Sequence, residues 1–218
     1  MKAPELTDLA EAWLRCRYPN AIIVRELGVD GYGAARLDVA AITDRKIVGV
    51  EVKGDGDSAA RLELQGWSYG RAVTEMWLLP SPDLVKACHR KRPANWGLLE
   101  VYEGSVRMAM NTPAYGAALP IAMAQPLEDH APATMLRVLW RDELLLAAER
   151  TKTPLWGAST RAKIAAAILK HCSVSTVHDE MIWALRNRVW MGSKVHLNET
   201  LKDRDPERFH EVAWAERD

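Results

Sequence analysis

The chain has 218 residues, 48% of them hydrophobic, and its 29 basic and 29 acidic side chains cancel to a formal charge of zero. That apolar content suffices for a sizeable core, in one large domain or a domain with a small appendage. A helical membrane span is excluded, because no uninterrupted apolar run approaches the roughly 20 residues that cross a bilayer.

The zero sum conceals a sorted distribution. Ten basic residues stand against thirteen acidic ones over 1–85, the signs balance over 86–149, and eight basic residues stand against two acidic ones over 150–196. A basic block beside an acidic one suits a polyanionic partner or, as well, a solvated helix surface. Glu5, Asp8 and Glu11 occupy positions that would be apolar in a secretory segment, so the chain is expected in the cytoplasm. Cys16, Cys88 and Cys172 agree with this location. An odd number without C-x-x-C spacing suits neither a disulfide framework nor a zinc site.

In chain order, Leu6, Leu9, Ala10, Trp13 and Leu14 recur at helical spacing over residues 5–17, between Pro4 and Pro19. Residues 21–29, 36–43 and 46–53 are rich in β-branched side chains and are separated by Asp30-Gly31-Tyr32-Gly33 and by a tight turn at Asp44-Arg45. They predict a three-stranded meander. A helical pattern follows over 58–73, then a short buried strand over 74–79 ended by Pro80, then a helix capped by Ser81 with Pro82 at its first position. Residues 96–102 and 106–110 flank Glu103-Gly104 as a hairpin.

Residues 112–133, rich in Pro, Ala and Gly and lacking either period, predict a linker. Helical patterns resume over 134–150, 159–172 and 176–190, with Ser159 and Thr176 as N-caps, and a final short helix starts at Asp205-Pro206. The expected organisation is a core over 1–111, a linker over 112–133 and a helical region over 134–218. Two amphipathic helices joined across residues 173–175 suit a DNA-reading helix-turn-helix or an ordinary αα-hairpin.

The residues that carry chemistry lie in the second and third strands, where carboxylates interrupt apolar segments. Alternation puts Glu51 and Lys53 on one face, while Val50 and Val52 face the other way. If those strands pair through the Asp44-Arg45 turn, Asp38 and Glu51 are about equally far from its centre and come together. Two carboxylates so close repel unless a cation lies between them, and hard oxygen ligands suit Mg²⁺ or Mn²⁺. The bare spacing of an acid two residues before a lysine is not specific, since chance alone predicts about one match in such a chain. Asp44 and Lys46 form a second match, in a turn where charge needs no explanation. Glu51-Val52-Lys53 differs by lying in an apolar strand that ends at Gly54.

On these residues the sequence resembles the PD-(D/E)XK phosphodiesterase superfamily, whose members share a restriction-endonuclease-like fold. The resemblance covers roughly residues 5–110. Its order of helix, three-stranded meander, helix and strand is the one read above, and its acid, second acid and lysine fall on Asp38, Glu51 and Lys53. The following helix contains Gln65-Gly66-Trp67-Ser68-Tyr69, similar to the Q-x-x-x-Y pattern of some branches. Leu37 stands where the family's leading proline would be. The stretch EVKGDGDSAARLELQGWSY, with Asp57 and Arg61 entering the helix, is similar to small stand-alone bacterial and phage members, including MmcB-type DNA repair proteins.

The resemblance implies an α/β fold with a restriction-endonuclease-like core, a mixed central sheet flanked by helices, followed by an α-helical C-terminal segment. It implies metal-dependent hydrolysis of phosphodiester bonds in DNA, or in RNA, during repair, recombination or phage DNA processing. Asp38, Glu51 and the Val52 carbonyl would hold the Mg²⁺ or Mn²⁺, Lys53 would orient or deprotonate the attacking water, and Gln65 and Tyr69 would support the site. Glu26 and Glu11 are further ligand candidates, with Glu26 preferred. Arg61, Lys86, Arg90, Lys91 and Arg92 are candidate phosphate-backbone contacts, and Trp67 could stack on a base. A homodimer fits paired cuts, and the C-terminal helices could bind a protein partner. The alternative is a nuclease-like binding module for nucleic acid or protein, with little catalysis.

Overall fold

Leu6, Ala10 and Leu14, each a helical turn apart, are fully buried along one stripe of α1 (Ala3–Arg17). The helix starts where Glu5 accepts the Lys2 N–H at 2.8 Å, with Pro4 in the first turn. The computed structural model describes residues 1–29, 35–109 and 130–190. After α1 come β1 (Ile22–Gly28), β2 (Arg36–Ile42) and β3 (Ile47–Lys53), an antiparallel meander. Thr43 sets the tight turn between the last two, its hydroxyl accepting the Lys46 N–H at 2.9 Å.

A 3₁₀ turn (Ala59–Arg61) and α2 (Leu62–Tyr69) cross over to β4 (Glu75–Pro80), which runs parallel to β3. Pro80 does not end the strand before it, as the sequence suggested. It is the strand's last residue, in register with Lys53. A second 3₁₀ turn (Pro82–Leu84) and α3 (Val85–Lys91) lead to β5 (Gly97–Tyr102), parallel to β4, and β6 (Ser105–Met108) returns antiparallel. The two-residue turn works because Glu103 and Gly104 both adopt left-handed φ, 48° and 75°. The six strands therefore form one mixed sheet in sequence order, and the fold is α/β.

Alternation divides the core into two layers. Val39, Ala41, Val48, Val50 and Val52 pack against α1 on one face. Leu37, Ala40, Ile42 and Ile47 belong to a second cluster, which also takes in Leu62 and Tyr69 of α2 and runs on into Leu136, Ile168 and Leu185 of the helical region. That region comprises α4 (Pro132–Arg137), α5 (Arg141–Arg150), α6 (Arg161–His171) and α7 (Val174–Asn187). Arg186 of α7 donates to the Ile42 carbonyl at 2.9 Å, fixing the helices to β2.

In the helical region the boundaries differ from expectation in three places. The helix expected over 134–150 is two helices, broken at Trp140, whose N–H is accepted by Glu143 at the start of α5. Thr160 rather than Ser159 caps α6, and Ser173 rather than Thr176 caps α7 by accepting the Thr176 N–H at 3.1 Å. Only two residues then separate α6 from α7. Val177, His178, Met181, Ile182 and Leu185 of α7 are buried against its neighbours, while Ser175 and Asp179, one turn apart, are exposed. Most of the expected linker and the helix at Asp205-Pro206 lie outside the described residues. No helix among the described residues is long and apolar enough to cross a membrane.

Candidate active site

The site grows from strand register. The bonded pairs of β2 and β3 run from Ile42↔Ile47 to Val39↔Val50, so Asp38 falls opposite Glu51 one step further on. Asp38 Oδ2 accepts the Val52 N–H at 2.7 Å. On β1, the pairs Arg25↔Val39 and Leu27↔Leu37 bracket Glu26, which puts it in register with Asp38 on the other side. Three acidic residues thus stand in register on three strands.

Glu51 and Lys53 are almost wholly buried, at 2% and 5% exposure. An ionised carboxylate can be buried only when its oxygens are satisfied. Glu51 Oε1 accepts from Lys53 Nζ and from Gln65 Nε2, each at 2.6 Å, and Oε2 accepts from the Tyr69 hydroxyl at 3.0 Å. Lys53 Nζ also donates to Gln65 Oε1 at 3.2 Å. Gln65 and Tyr69 reach Glu51 together because they sit one turn apart on the inner side of α2. The Tyr69 hydroxyl lies 2.7 Å from the Arg36 carbonyl as well, which ties the network to the start of β2.

Charge in this network is unbalanced. Burial pushes the Asp38 carboxyl up and the neighbouring Glu51 charge pushes it further, while the Val52 N–H and Lys53 only partly offset them, so it rises from 3.8 to about 7. Burial, and then the Glu51 charge, raise the Tyr69 phenol above its ordinary value and keep it a neutral donor.

These residues line a cleft of about 960 Å³. Gly54 permits the approach of its α1 wall, since a Cβ there would stand 2.4 Å from the Ala3 nitrogen. Asp57 closes the turn after β3 by accepting the Gly54 N–H at 2.7 Å. Glu26 lines the cleft but is half exposed, and its carboxylate is paired with Arg36 at 3.3 Å. Among the described residues no three His, Cys, Asp or Glu side chains gather as a metal-holding group, so register alone does not bring Glu26 onto Asp38 and Glu51. Glu11 is not among the lining residues. Its oxygens are held by Arg15 and Arg25, which outweigh burial and lower its pKa.

The basic candidates divide. Arg61 lines the cleft, whereas Lys86, Arg90 and Lys91 are exposed on α3 away from it. Arg92 is spent on structure, with Nη1 donating to the Trp96 carbonyl at 2.6 Å. Arg71 and Arg137 also line the cleft and were not found from the sequence. Arg71 carries a detectable signal, lying four residues after Trp67; Arg137 is on α4, distant in sequence, and carries none.

No family model matches the chain, and no curated protein matches it. Among solved structures, the SPO1766 protein of unknown function from Silicibacter pomeroyi is similar at 19% identity, covering 72% of this chain and 93% of that one, with a TM-score of 0.44.

Proposed function

We propose that the chain is a Mg²⁺- or Mn²⁺-dependent nuclease with the restriction-endonuclease-like core of the PD-(D/E)XK superfamily, acting on DNA in repair, recombination or phage DNA processing. One observation carries the reading. Asp38 stands opposite Glu51 at the edge of a cleft, in a network with the lysine two residues further on and with a glutamine and a tyrosine one helical turn apart.

The donor set fits a hard divalent cation. Asp38 and Glu51 offer oxygen and Val52 offers a carbonyl beside them, and a cation held there would offset the burial and the Glu51 charge that together raise the Asp38 carboxyl. When bound, such an ion acidifies water and stabilises charge on a phosphate. The chain's own residues do the rest. Lys53, fixed by Glu51 and Gln65, presents an ammonium to the attacking water and to the phosphate oxygens that gain charge. Water adds to phosphorus as a bridging P–O bond breaks, and the departing oxygen leaves with a proton. Tyr69 and Gln65 keep Glu51 from turning away.

The engagement of both Glu51 oxygens by Lys53, Gln65 and Tyr69 favours a second reading, a nuclease-like binding module whose network is purely structural. Cleavage of single-stranded, duplex and branched DNA and of RNA in Mg²⁺ or Mn²⁺, compared between the wild type, Asp38→Ala and Lys53→Ala, separates the two. The nuclease reading expects cleavage that both substitutions reduce by about 10²-fold or more. No cleavage of any substrate, or equal cleavage by all three proteins, favours the binding module.

A further inference from the structure

Apolar side chains occupy both sides of α2. Leu62 and Tyr69 are buried beneath it, while Leu64 and Trp67 are 65% and 64% exposed at the mouth of the cleft. A tryptophan left so open forgoes burial that the same side chain gains elsewhere in this chain, as Trp77 and Trp96 do. Two guanidinium groups and one carboxylate, that of Glu63 a turn before it, stand near on the same stretch of chain. The Arg71 guanidinium lies 4.5 Å from the Trp67 ring centroid, and Arg61 is exposed on the preceding turn. Among the described residues no carboxylate forms an ion pair with Arg61 or Arg71.

We propose that Trp67, braced by Arg71, is a platform for an unpaired nucleobase, so that the cleft takes nucleic acid with a single-stranded segment in preference to continuous duplex. The inference rests on the nuclease reading for the direction in which the strand runs, and it deepens that reading by naming the substrate class. An indole face is sequence-tolerant because every base has a π-face, but bases inside a duplex are already stacked on one another and do not offer theirs. Arg61 and Arg71 would meet the phosphates on either side of the stacked base. That leaves the adjoining phosphodiester to enter the cleft where Asp38, Glu51 and Lys53 lie. The charge of the rim argues against an apolar protein partner, since two guanidinium groups border the only large exposed apolar side chains of this helix.

The test is binding, kept apart from cleavage. Fluorescence anisotropy of a labelled oligothymidylate and of a blunt duplex of equal length would be measured in EDTA for the wild type, Trp67→Ala, Trp67→Phe and Arg71→Ala. Trp67 contributes to no core, so its truncation leaves the fold in place, which circular dichroism checks. Expected are a loss of about tenfold in oligothymidylate affinity for Trp67→Ala, most of it restored in Trp67→Phe, and duplex affinity within about twofold of wild type. Unchanged oligothymidylate binding by Trp67→Ala, or equal losses on both ligands, overturns the proposal. So does loss of self-association in Trp67→Ala with unaltered nucleic-acid binding, which would make this face a protein contact. Trp67-dependent binding without metal-dependent cleavage would sink the nuclease reading and keep the platform. Asp38-dependent cleavage with Trp67-independent binding would do the reverse.

Discussion

The parallel pair β3–β4 has a buried glutamate network at each end, and the two are built on opposite electrostatic terms. At the start, Glu75 faces Val48 in register and is bonded by Lys46, by the Tyr18 hydroxyl at 2.9 Å and by Trp77 Nε1 at 2.7 Å. Burial alone would raise its pKa, but the Lys46 and Trp77 hydrogen bonds hold it below the ordinary carboxylate range. One acid there has one cation and two further donors. At the other end Asp38 and Glu51 share Lys53, and Asp38 is pushed up instead. Both acids are buried, but Glu75 has a cation of its own whereas Asp38 and Glu51 have one between them.

The sharpest way to break this contrast is to neutralise one acid at each end. Glu51→Gln is expected to lower cleavage by about 10²-fold or more, and Glu75→Gln to leave it within about twofold. Thermal melts should show the converse, with Glu75→Gln losing about 1–2 kcal/mol through its unpaired lysine and indole donors. A Glu75→Gln protein with no activity and an unaltered melt would remove the distinction.

The next effect is read through pH. Asp38 has a folded-state pKa of about 7 against an ordinary 3.8, so its contribution to stability is fully present below about pH 4 and is lost as pH rises through about 7. Glu75 has the other sign: its contribution is present above its ordinary pKa and is lost on acidification. Without divalent cations, the melting temperature should therefore fall between about pH 5 and about pH 8, and Asp38→Asn should flatten that fall while leaving the acid limb intact. An unchanged alkaline limb in Asp38→Asn would show that another group titrates.

The smallest effect sharpens where the cleft ends. Lys86→Ala and Lys91→Ala, on a helix away from it, should change oligonucleotide affinity by less than about twofold, whereas Arg61→Ala should change it several-fold and reduce its salt dependence. Equal losses from all three would extend the interface over α3.

The meander and the Asp38–Glu51 pairing were legible because they depend on short-range rules. Asp44-Arg45 sits midway between the two acids, and alternation sends Glu51 and Lys53 to one face. Gln65 and Tyr69 were legible for the same reason, one helical turn being a local distance. What failed was decided by tertiary contacts or by choices among equivalent residues. Ser173, Ser175 and Thr176 can all cap a helix, and it is Ser173 that accepts the Thr176 N–H. Val138, Leu139 and Trp140 keep the apolar spacing through a break that only the Glu143 carboxylate, closing on the Trp140 N–H, reveals. Arg137 reaches the cleft from a helix a long way along the chain. Glu75 reads in the sequence as a lone acid, and nothing local connects it to Tyr18 and Lys46.

Glu26 departs from strand geometry with φ of 57°, a left-handed value that costs a non-glycine residue about 1–2 kcal/mol. It lies on β1, the end strand of the sheet, where the ladder skips from Arg25↔Val39 to Leu27↔Leu37. An outermost strand with a free row of amides invites a strand from another molecule to add to it. The local twist at Glu26, beside the exposed charges of Arg25 and Glu26 itself, denies an incoming strand a straight partner. Among the described residues β1 has no second strand beside it, and the kink at Glu26 interrupts the straight row of amides that edge-to-edge pairing would need.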